Sequence, residues 1–394
     1  MIEKELTIKN TVICNRAVFQ PMEGCDCGED GAPGGLTVMK YLKAAESGAG
    51  VVWFEACAVC PEGRTNVRQM MITEQNAGEF RSLLQRMRET AKEKQIYILQ
   101  LTHSGRQSVR PLIAYHNSVY EKTRPVGDEN IVTDEYLDTL PDKYAAAAKL
   151  AVEAGFDGVD IKSCHGYLLQ ELLSAYDRPG KYGGSFENRT RLYLDCIDAV
   201  KAAVPDGTLI CTRLGVSDMV PYPNGFGCDE NGKLDLSEPD RLIDGLVKRG
   251  IDILNVTVGN PYYNPHVNRP YRKGAYLPPE PPETGLLRFR TVEKHIKNRY
   301  PSLAVVGSGL SYYRGKAVDE AEKLLADGVC DLVGFGRLSI AYPEFYNDYL
   351  NGSLDPGKCC LCCSKCTELM RGKRESGCAV FNGYYRESYK EMKR

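Results

Sequence analysis

Three side chains that could bind or protonate a substrate oxygen stand within six residues of one another: Lys162, His165 and Tyr167. They lie at and just beyond the end of a β-rich run over residues 158–163. Lysine and histidine can donate hydrogen bonds to an oxygen, and a tyrosine hydroxyl can deliver a proton. A single histidine or tyrosine is more often a packing residue, but the three together at a strand end favour a catalytic group.

The elements that would position these residues alternate along the chain. Eight β-rich runs alternate with segments of helical periodicity, which is typical of parallel strands linked by helices. The runs cover residues 17–22, 51–59, 96–103, 158–163, 209–214, 253–258, 304–307 and 331–336, and the helical segments cover 36–47, 74–94, 142–154, 187–203, 238–249, 291–300 and 315–326. Eight such units predict an α/β fold with a single (β/α)8 barrel over residues 1–350, followed by a short Cys-rich segment over 351–394.

Three long connections leave the carboxyl ends of predicted strands, at residues 104–140, 215–236 and 259–283. Barrel active sites form at those strand ends, so these loops are candidates for lids over a site. The alternative is that they are variable surface insertions.

Composition excludes several classes of function. The chain is 43% hydrophobic and 26% charged, with a net charge of −2, which is ordinary for a globular enzyme and gives no electrostatic basis for binding nucleic acid or an acidic membrane. The N-terminal residues lack an apolar core with a cleavage site, and no run of about 18 apolar residues occurs. We therefore expect a cytoplasmic enzyme.

Cysteine usage is unusual, because six of the 16 cysteines fall between Cys359 and Cys378. The spacing C-x2-C-x3-C-x11-C over Cys359, Cys362, Cys366 and Cys378 could bring four thiolates to one site. Taken alone, this spacing suits an iron–sulfur cluster and tetrahedral zinc equally well. Cys360 and Cys363 are additional thiols, so a shifted set of ligands is an alternative.

Six stretches agree in order and spacing with one known family. They are residues 15–22, 54–64, 100–106, 160–191, 213–217 and 334–337, including the strings QLTHSGR, HGYLL and YGGSFENR. The chain resembles the old yellow enzyme family of NADH:flavin oxidoreductases over about residues 10–385. With the Cys-rich tail, it is most similar to the branch of 2,4-dienoyl-CoA reductase and trimethylamine dehydrogenase.

The resemblance implies an FMN held at the mouth of the barrel. Backbone at Pro21 and Met22, with Ala56, would line one edge of the flavin ring, and Gln100 would bond its pyrimidine part. Arg213 would lie against the end of the ring where negative charge develops on reduction. The phosphate site would use Gly307, Ser308, Gly309, Gly336 and Arg337.

The resemblance also implies an ene-reductase, which reduces a C=C bond conjugated to a carbonyl or carboxylate. Tyr167 would supply the proton, while Lys162 and His165 would hold the substrate's carbonyl oxygen. Two residues depart from the family pattern. Lys162 stands where relatives usually have histidine, and Glu23 stands where they carry a small or thiol residue.

For the tail, the resemblance implies a 4Fe-4S cluster held by Cys359, Cys362, Cys366 and Cys378. The chain has no G-x-G-x-x-G after a strand, so we expect no built-in FAD or nicotinamide domain. Electrons would then come through the cluster from a separate donor, either a flavoprotein subunit, a ferredoxin or NAD(P)H. Two alternatives stay open, an amine dehydrogenase or demethylase of the trimethylamine dehydrogenase type and an electron-transfer flavoprotein subunit. A homo-oligomer is compatible with the sequence, which does not decide the oligomeric state.

Overall fold

The computed structural model describes every residue of the chain except Lys273 and Ala275. Its strands are β1 (Leu6–Ile8), β2 (Thr11–Ile13), β3 (Ala17–Phe19), β4 (Val51–Ala58), β5 (Ile96–Thr102), β6 (Gly158–Ile161), β7 (Leu209–Ser217), β8 (Ile253–Val258), β9 (Ala304–Gly307) and β10 (Leu332–Phe335). Strands β3 to β10 pair in parallel in chain order, and β10 closes the ring on β3. The predicted eight-stranded barrel is confirmed.

The barrel forms because its strands are apolar on both faces, as all eight residues of β4 are buried. Side chains that point inward, such as Val18, Trp53 and Ile98, fill the lower barrel as one cluster. The antiparallel pair β1–β2 adds Ile8 and Ile13 to this cluster and so covers the bottom of the barrel. The second and larger core lies between the outer faces of the strands and the helices. The sequence patterns did not predict the hairpin.

The helices are α1 (Gly35–Glu46), α2 (Ala77–Thr90), α3 (Asp134–Asp138), α4 (Leu140–Ala154), α5 (Leu168–Leu173), α6 (Phe186–Ala203), α7 (Ser237–Lys248), α8 (Pro265–Asn268), α9 (Pro282–Arg299), α10 (Ala317–Ala326), α11 (Arg337–Ala341), α12 (Phe345–Leu350), α13 (Lys365–Arg371) and α14 (Gly383–Lys393). All seven predicted helical segments contain a helix. The largest error is at α9, which begins at Pro282 rather than at residue 291. A proline is well tolerated in the first turn of a helix, because the backbone N–H that it lacks has no partner there.

Residues 351–394 lie against the carboxyl ends of the barrel strands. The Ser376 N–H donates to the Gly24 carbonyl at 2.6 Å, and Glu375 pairs with Arg68 at 2.6 Å. The Cys362 thiol lies 3.5 Å from the carbonyl of Ser311, which belongs to the segment after β9. The tail therefore covers the same end of the barrel where the predicted catalytic residues stand. Across the described residues, no helix has the length and apolar character needed to cross a membrane.

Candidate active site

One cavity opens at the carboxyl ends of the strands, and it gathers nearly all of the predicted cofactor and catalytic residues. Those that line it are Pro21, Met22, Ala56, Gln100, Lys162, His165, Tyr167, Arg213, Ser308, Gly309, Gly336 and Arg337. Gly307 is the exception, because it ends β9 and packs against Cys330 outside the cavity. Residues from the carboxyl ends of β3 through β10 thus converge on one space.

Asp160 organises the two polar residues on which the predicted flavin site depends. Its Oδ2 accepts hydrogen bonds from Gln100 Nε2 at 2.7 Å and from Trp53 Nε1 at 2.8 Å. Its Oδ1 accepts one from the Arg213 N–H at 2.7 Å. The strand register makes this arrangement, since β5 and β6 pair Gln100 with Asp160. Because the Gln100 amide nitrogen is held by a carboxylate, its Oε1 is left as the acceptor for a ligand.

Unsatisfied donors around the cavity fit an anionic ring and a phosphate. Arg213 Nε and Arg337 Nη1 are buried and have no hydrogen-bond partner among the described atoms. Burial lowers the pKa of Arg213, so the guanidinium is held at an energetic cost that a negative ligand would offset. The residues present therefore fit FMN.

The backbone of the loop after β9 is held by side chains of α9, in a conformation that would let a phosphate approach closely. Gly309 has a φ of +85°, a conformation that side chains rarely adopt. The Ser308 N–H donates to Glu293 at 2.8 Å, and Arg290 donates to the Ser308 carbonyl. Arg290 also pairs with the buried Glu293 at 2.6 Å, so the two side chains together hold the backbone of the loop.

Tyr167 is a buried phenol beside a carboxylate and a second phenol. Its side chain is buried, and its hydroxyl lies 3.4 Å from a Glu23 oxygen and 3.4 Å from the Tyr262 hydroxyl. Burial and then the Glu23 charge raise the pKa of Tyr167 well above its usual value, so the phenol stays protonated. Lys162 Nζ lies 3.7 Å from the centre of the Tyr167 ring, a cation–π contact.

His165 lies on a sharp turn after β6. Its φ is +67°, which is uncommon for a residue other than glycine, and Gly166 follows with the same value. Its Nε2 is buried and has no hydrogen-bond partner in the described structure. Burial, Arg213 and Lys162 together lower the pKa of His165 well below its usual value. The neutral imidazole therefore meets the cavity with one uncommitted nitrogen.

Glu23, the departure from the family pattern, does not turn away from the cavity. Its Oε1 accepts hydrogen bonds from Thr65 Oγ1 at 2.6 Å and from Asn66 Nδ2 at 3.3 Å, while its Oε2 faces Tyr167. The next residue, Gly24, donates its N–H to the buried carboxylate of Glu55 at 2.5 Å, which holds this segment in place.

Sequence reasoning missed the part of the cavity wall that comes from the long loop after β8 and from the tail. These residues include Tyr262, Arg269, Thr367, Met370, Arg371 and Ser376. The loop was singled out for its length and its PYYNPHVNRPY string, which was the available signal. The tail residues gave no signal, because their position depends on how the tail packs on the barrel.

The six tail cysteines do not share one surrounding. A small thiol-lined space is formed by Cys360, Cys363, Cys366 and Cys378, and Arg337 lines both this space and the barrel-mouth cavity. Cys359 instead faces the Asp355 carbonyl at 3.7 Å, and Cys362 faces the Ser311 carbonyl. Within the described residues, no three His, Cys, Asp or Glu side chains are close enough together to hold a single metal ion.

Comparisons with known proteins agree with the site. The description "NADH:flavin oxidoreductase / NADH oxidase family" matches residues 4–236. The chain is 31% identical over 351 residues to an NADPH dehydrogenase of Clostridium acetobutylicum, covering 86% of this chain and 91% of that protein. It is 27% identical to an NADH oxidase of Thermoanaerobacter brockii, covering 91% of this chain but 52% of that longer protein.

Two solved structures share the fold. A 2-naphthoyl-CoA reductase matches 98% of this chain and 58% of its own, with a TM-score of 0.79 and 19% identity. The old yellow enzyme homologue from Zymomonas mobilis matches 89% of this chain and 93% of its own, with a TM-score of 0.66 and 21% identity. The matched family spans more than half of the chain and includes β3 to β7 with Gln100, Tyr167 and Arg213. The chain therefore belongs to the NADH:flavin oxidoreductase / NADH oxidase family and is an FMN oxidoreductase of the old yellow enzyme type.

Proposed function

We propose that this chain is an ene-reductase that reduces a C=C bond conjugated to a carbonyl or carboxylate group. The observation that carries the proposal is the convergence of Tyr167, His165 and Lys162 on the cavity that Gln100 and Arg213 also line. FMN, when bound, supplies the hydride that is added to one carbon of the double bond. The protein must supply the proton for the other carbon and must polarise the carbonyl.

The surroundings of each residue suit these tasks. Tyr167 delivers the proton from its hydroxyl, which its raised pKa keeps protonated. The uncommitted Nε2 of His165 and the Lys162 ammonium hydrogen-bond the carbonyl oxygen, where negative charge develops. Arg213 stabilises the negative charge of the reduced ring.

Replacing Tyr167 with phenylalanine tests the proposal. Tyr167→Phe removes one oxygen and leaves the ring that contacts Lys162, so FMN should still bind and should still be reduced by dithionite. Oxidation of the reduced flavin by an enone should slow by about 10²- to 10⁴-fold, the usual contribution of a positioned acid. Tyr263→Phe is the matched control, since Tyr263 is an exposed phenol next to Tyr262. Unchanged enone reduction in Tyr167→Phe would remove Tyr167 from the mechanism.

The charge of the cavity argues against the amine dehydrogenase alternative. Five cationic side chains line it together with the single carboxylate of Glu23: Lys162, Arg213, Arg269, Arg337 and Arg371. A cationic amine would be repelled by this lining, whereas the polarised oxygen of an enone is attracted to it.

We further propose that the tail holds a 4Fe-4S cluster with a shifted set of ligands: Cys360, Cys363, Cys366 and Cys378. The support is that these four residues line one space, while the thiols of Cys359 and Cys362 face the backbone carbonyls of Asp355 and Ser311. Cys366 lines both the thiol-lined space and the active-site cavity. Electrons from a separate donor would therefore have a short route from the cluster to the flavin.

Iron analysis of two serine variants tests this assignment. Cys363→Ser should lose most of its iron and the cluster absorption, while Cys359→Ser, the matched control, should keep both. FMN content serves as an internal reference for folding. Iron loss in Cys359→Ser with retention in Cys363→Ser would restore the set of Cys359, Cys362, Cys366 and Cys378, and stoichiometric zinc without iron would replace the cluster altogether.

A further inference from the structure

A second cavity adjoins the active site and shares part of its wall. Both are lined by Glu23, Tyr262, Met370 and Arg371, and the second extends outward to residues of the long loop after β5. Its volume of about 150 Å³ is close to that of the active-site cavity, about 160 Å³. The second cavity could therefore hold the part of a long substrate that extends beyond the reactive alkene.

The second cavity is bordered by three cations that lack an acidic partner. Arg124, Arg371 and Lys373 have no carboxylate within 4 Å in the described part of the chain. Arg124 and Arg371 donate only to backbone carbonyls, those of Arg106 and Pro261. Many other cations of the surface are paired, as Arg241 is with Glu187 at 2.7 Å.

The remaining polar groups of this cavity also favour an anionic ligand. Ser108 is 1% exposed, and its hydroxyl has no hydrogen-bond partner among the described residues. An orphaned buried hydroxyl is costly, so a ligand that bonds it is favoured. Glu23 is the acidic side chain here, and Thr65 and Asn66 already donate to it. Cations therefore outnumber it three to one.

The positive charge exceeds what the flavin accounts for. Within the two cavities, Arg337 is assigned to the phosphate of FMN and Arg213 to its ring. Lys162 is assigned to the substrate's carbonyl oxygen. Arg269, Arg371, Arg124 and Lys373 are still without an anionic ligand.

We propose that the second cavity binds an anionic oxygen group of the substrate, a carboxylate or a phosphate ester, while the alkene lies over the flavin. The inference rests on the proposed ene-reductase function and narrows the substrates to unsaturated carbonyl compounds that carry a negatively charged end group. Arg124, Arg371, Lys373 and the Ser108 hydroxyl are the groups that receive the charge.

Ligand binding to the oxidised, FMN-loaded protein tests this inference without requiring turnover. The probes are enones that carry a terminal carboxylate on chains of increasing length, the corresponding phosphate esters, and the methyl esters of the acids as uncharged controls. Binding is followed by the change in visible absorption of the flavin. The variants are Arg124→Gln, Lys373→Gln and the double variant. Arg110→Gln is the matched control, because Arg110 is exposed on the same loop and lines neither cavity.

We expect a charged probe to bind more tightly than its methyl ester. Each of Arg124→Gln and Lys373→Gln should reduce the ratio of the two affinities roughly two- to fivefold, as for exposed ion pairs, and added salt should reduce it further. Arg110→Gln should leave the ratio unchanged. The more tightly bound probe shows whether the anionic group of the substrate is a carboxylate or a phosphate ester.

Equal affinity for acid and ester at every chain length, or an unchanged ratio in the double variant, would overturn the inference. Reduction of the bound probes is then measured separately. Selective binding of the anions without reduction of their alkenes would refute the ene-reductase proposal and leave the anion site in place.

Discussion

Asparagine at position 160 would disturb the flavin site without changing the shape of the side chain. The Asp160 carboxylate is fully buried and accepts hydrogen bonds on both oxygens, from Trp53 and Gln100 on one and from Arg213 on the other. An asparagine amide has one oxygen, so in either orientation at least one buried N–H group faces another N–H group.

The loss of unfolding free energy in Asp160→Asn can be estimated from these contacts. One orphaned buried donor costs about 1–3 kcal/mol, and the surviving bonds lose the strength that the charge gives them. A neutral amide is cheaper to bury than a carboxylate, which recovers part of this loss, so a net of about 2–3 kcal/mol is expected. For 394 residues the unfolding entropy is about 0.8 kcal/mol per kelvin, so Tm should fall by about 2–4 °C.

The effect on FMN binding separates a positioning role from general stability. Gln100 or Arg213 should move, so the Kd for FMN should rise about two- to tenfold, the equivalent of one neutral hydrogen bond. Asp157→Asn is the matched control, because Asp157 accepts the Tyr97 N–H at 2.9 Å at the opposite end of β6 and lines neither cavity. The assays are thermal unfolding and quenching of FMN fluorescence. If Asp160→Asn changed FMN affinity no more than Asp157→Asn does, the claim that Asp160 positions the flavin ligands would be refuted.

Three further expectations concern buried side chains that can carry a charge. Burial lowers the pKa of His103 to about 4, so the unfolded chain binds the extra proton first, and stability of up to about 3 kcal/mol is lost as the pH falls from about 6.5 to 4. His103→Gln should flatten this fall in Tm, and parallel curves would contradict the assignment. Arg106 is buried against Glu171 at 2.5 Å, so Arg106→Met should cost about 3–5 kcal/mol, seen as a Tm lower by about 4–6 °C. Burial lowers the pKa of Lys162, so kcat/KM should decline as the pH rises through that value. Lys162→His should move the decline to lower pH, and a profile unaffected by the substitution would exclude Lys162 as the donor.

Much of the barrel was predictable because its strands are buried on both faces. Residues 253–258 and 304–307 match β8 and β9, since apolar runs ended by turn residues leave little freedom. The convergence of Lys162, His165 and Tyr167 on one cavity was predictable for a related reason, as these residues follow a strand end at the mouth of a closed barrel.

The rest depended on tertiary packing that local patterns do not record. The cysteine spacing contains two overlapping C-x2-C pairs, Cys359 with Cys362 and Cys360 with Cys363, and the chain direction after residue 358 decides which pair lines the space beside Arg337. Similarly, nothing in the composition around Arg371 indicates that this residue borders the active site.

The short helix α13 belongs to two compartments at once. It contributes Cys366 to the thiol-lined space and Thr367, Met370 and Arg371 to the wall of the flavin cleft. Packing of this one helix against the barrel therefore completes the walls of both compartments, so a substitution that displaced α13 would open the flavin cleft and the thiol-lined space together.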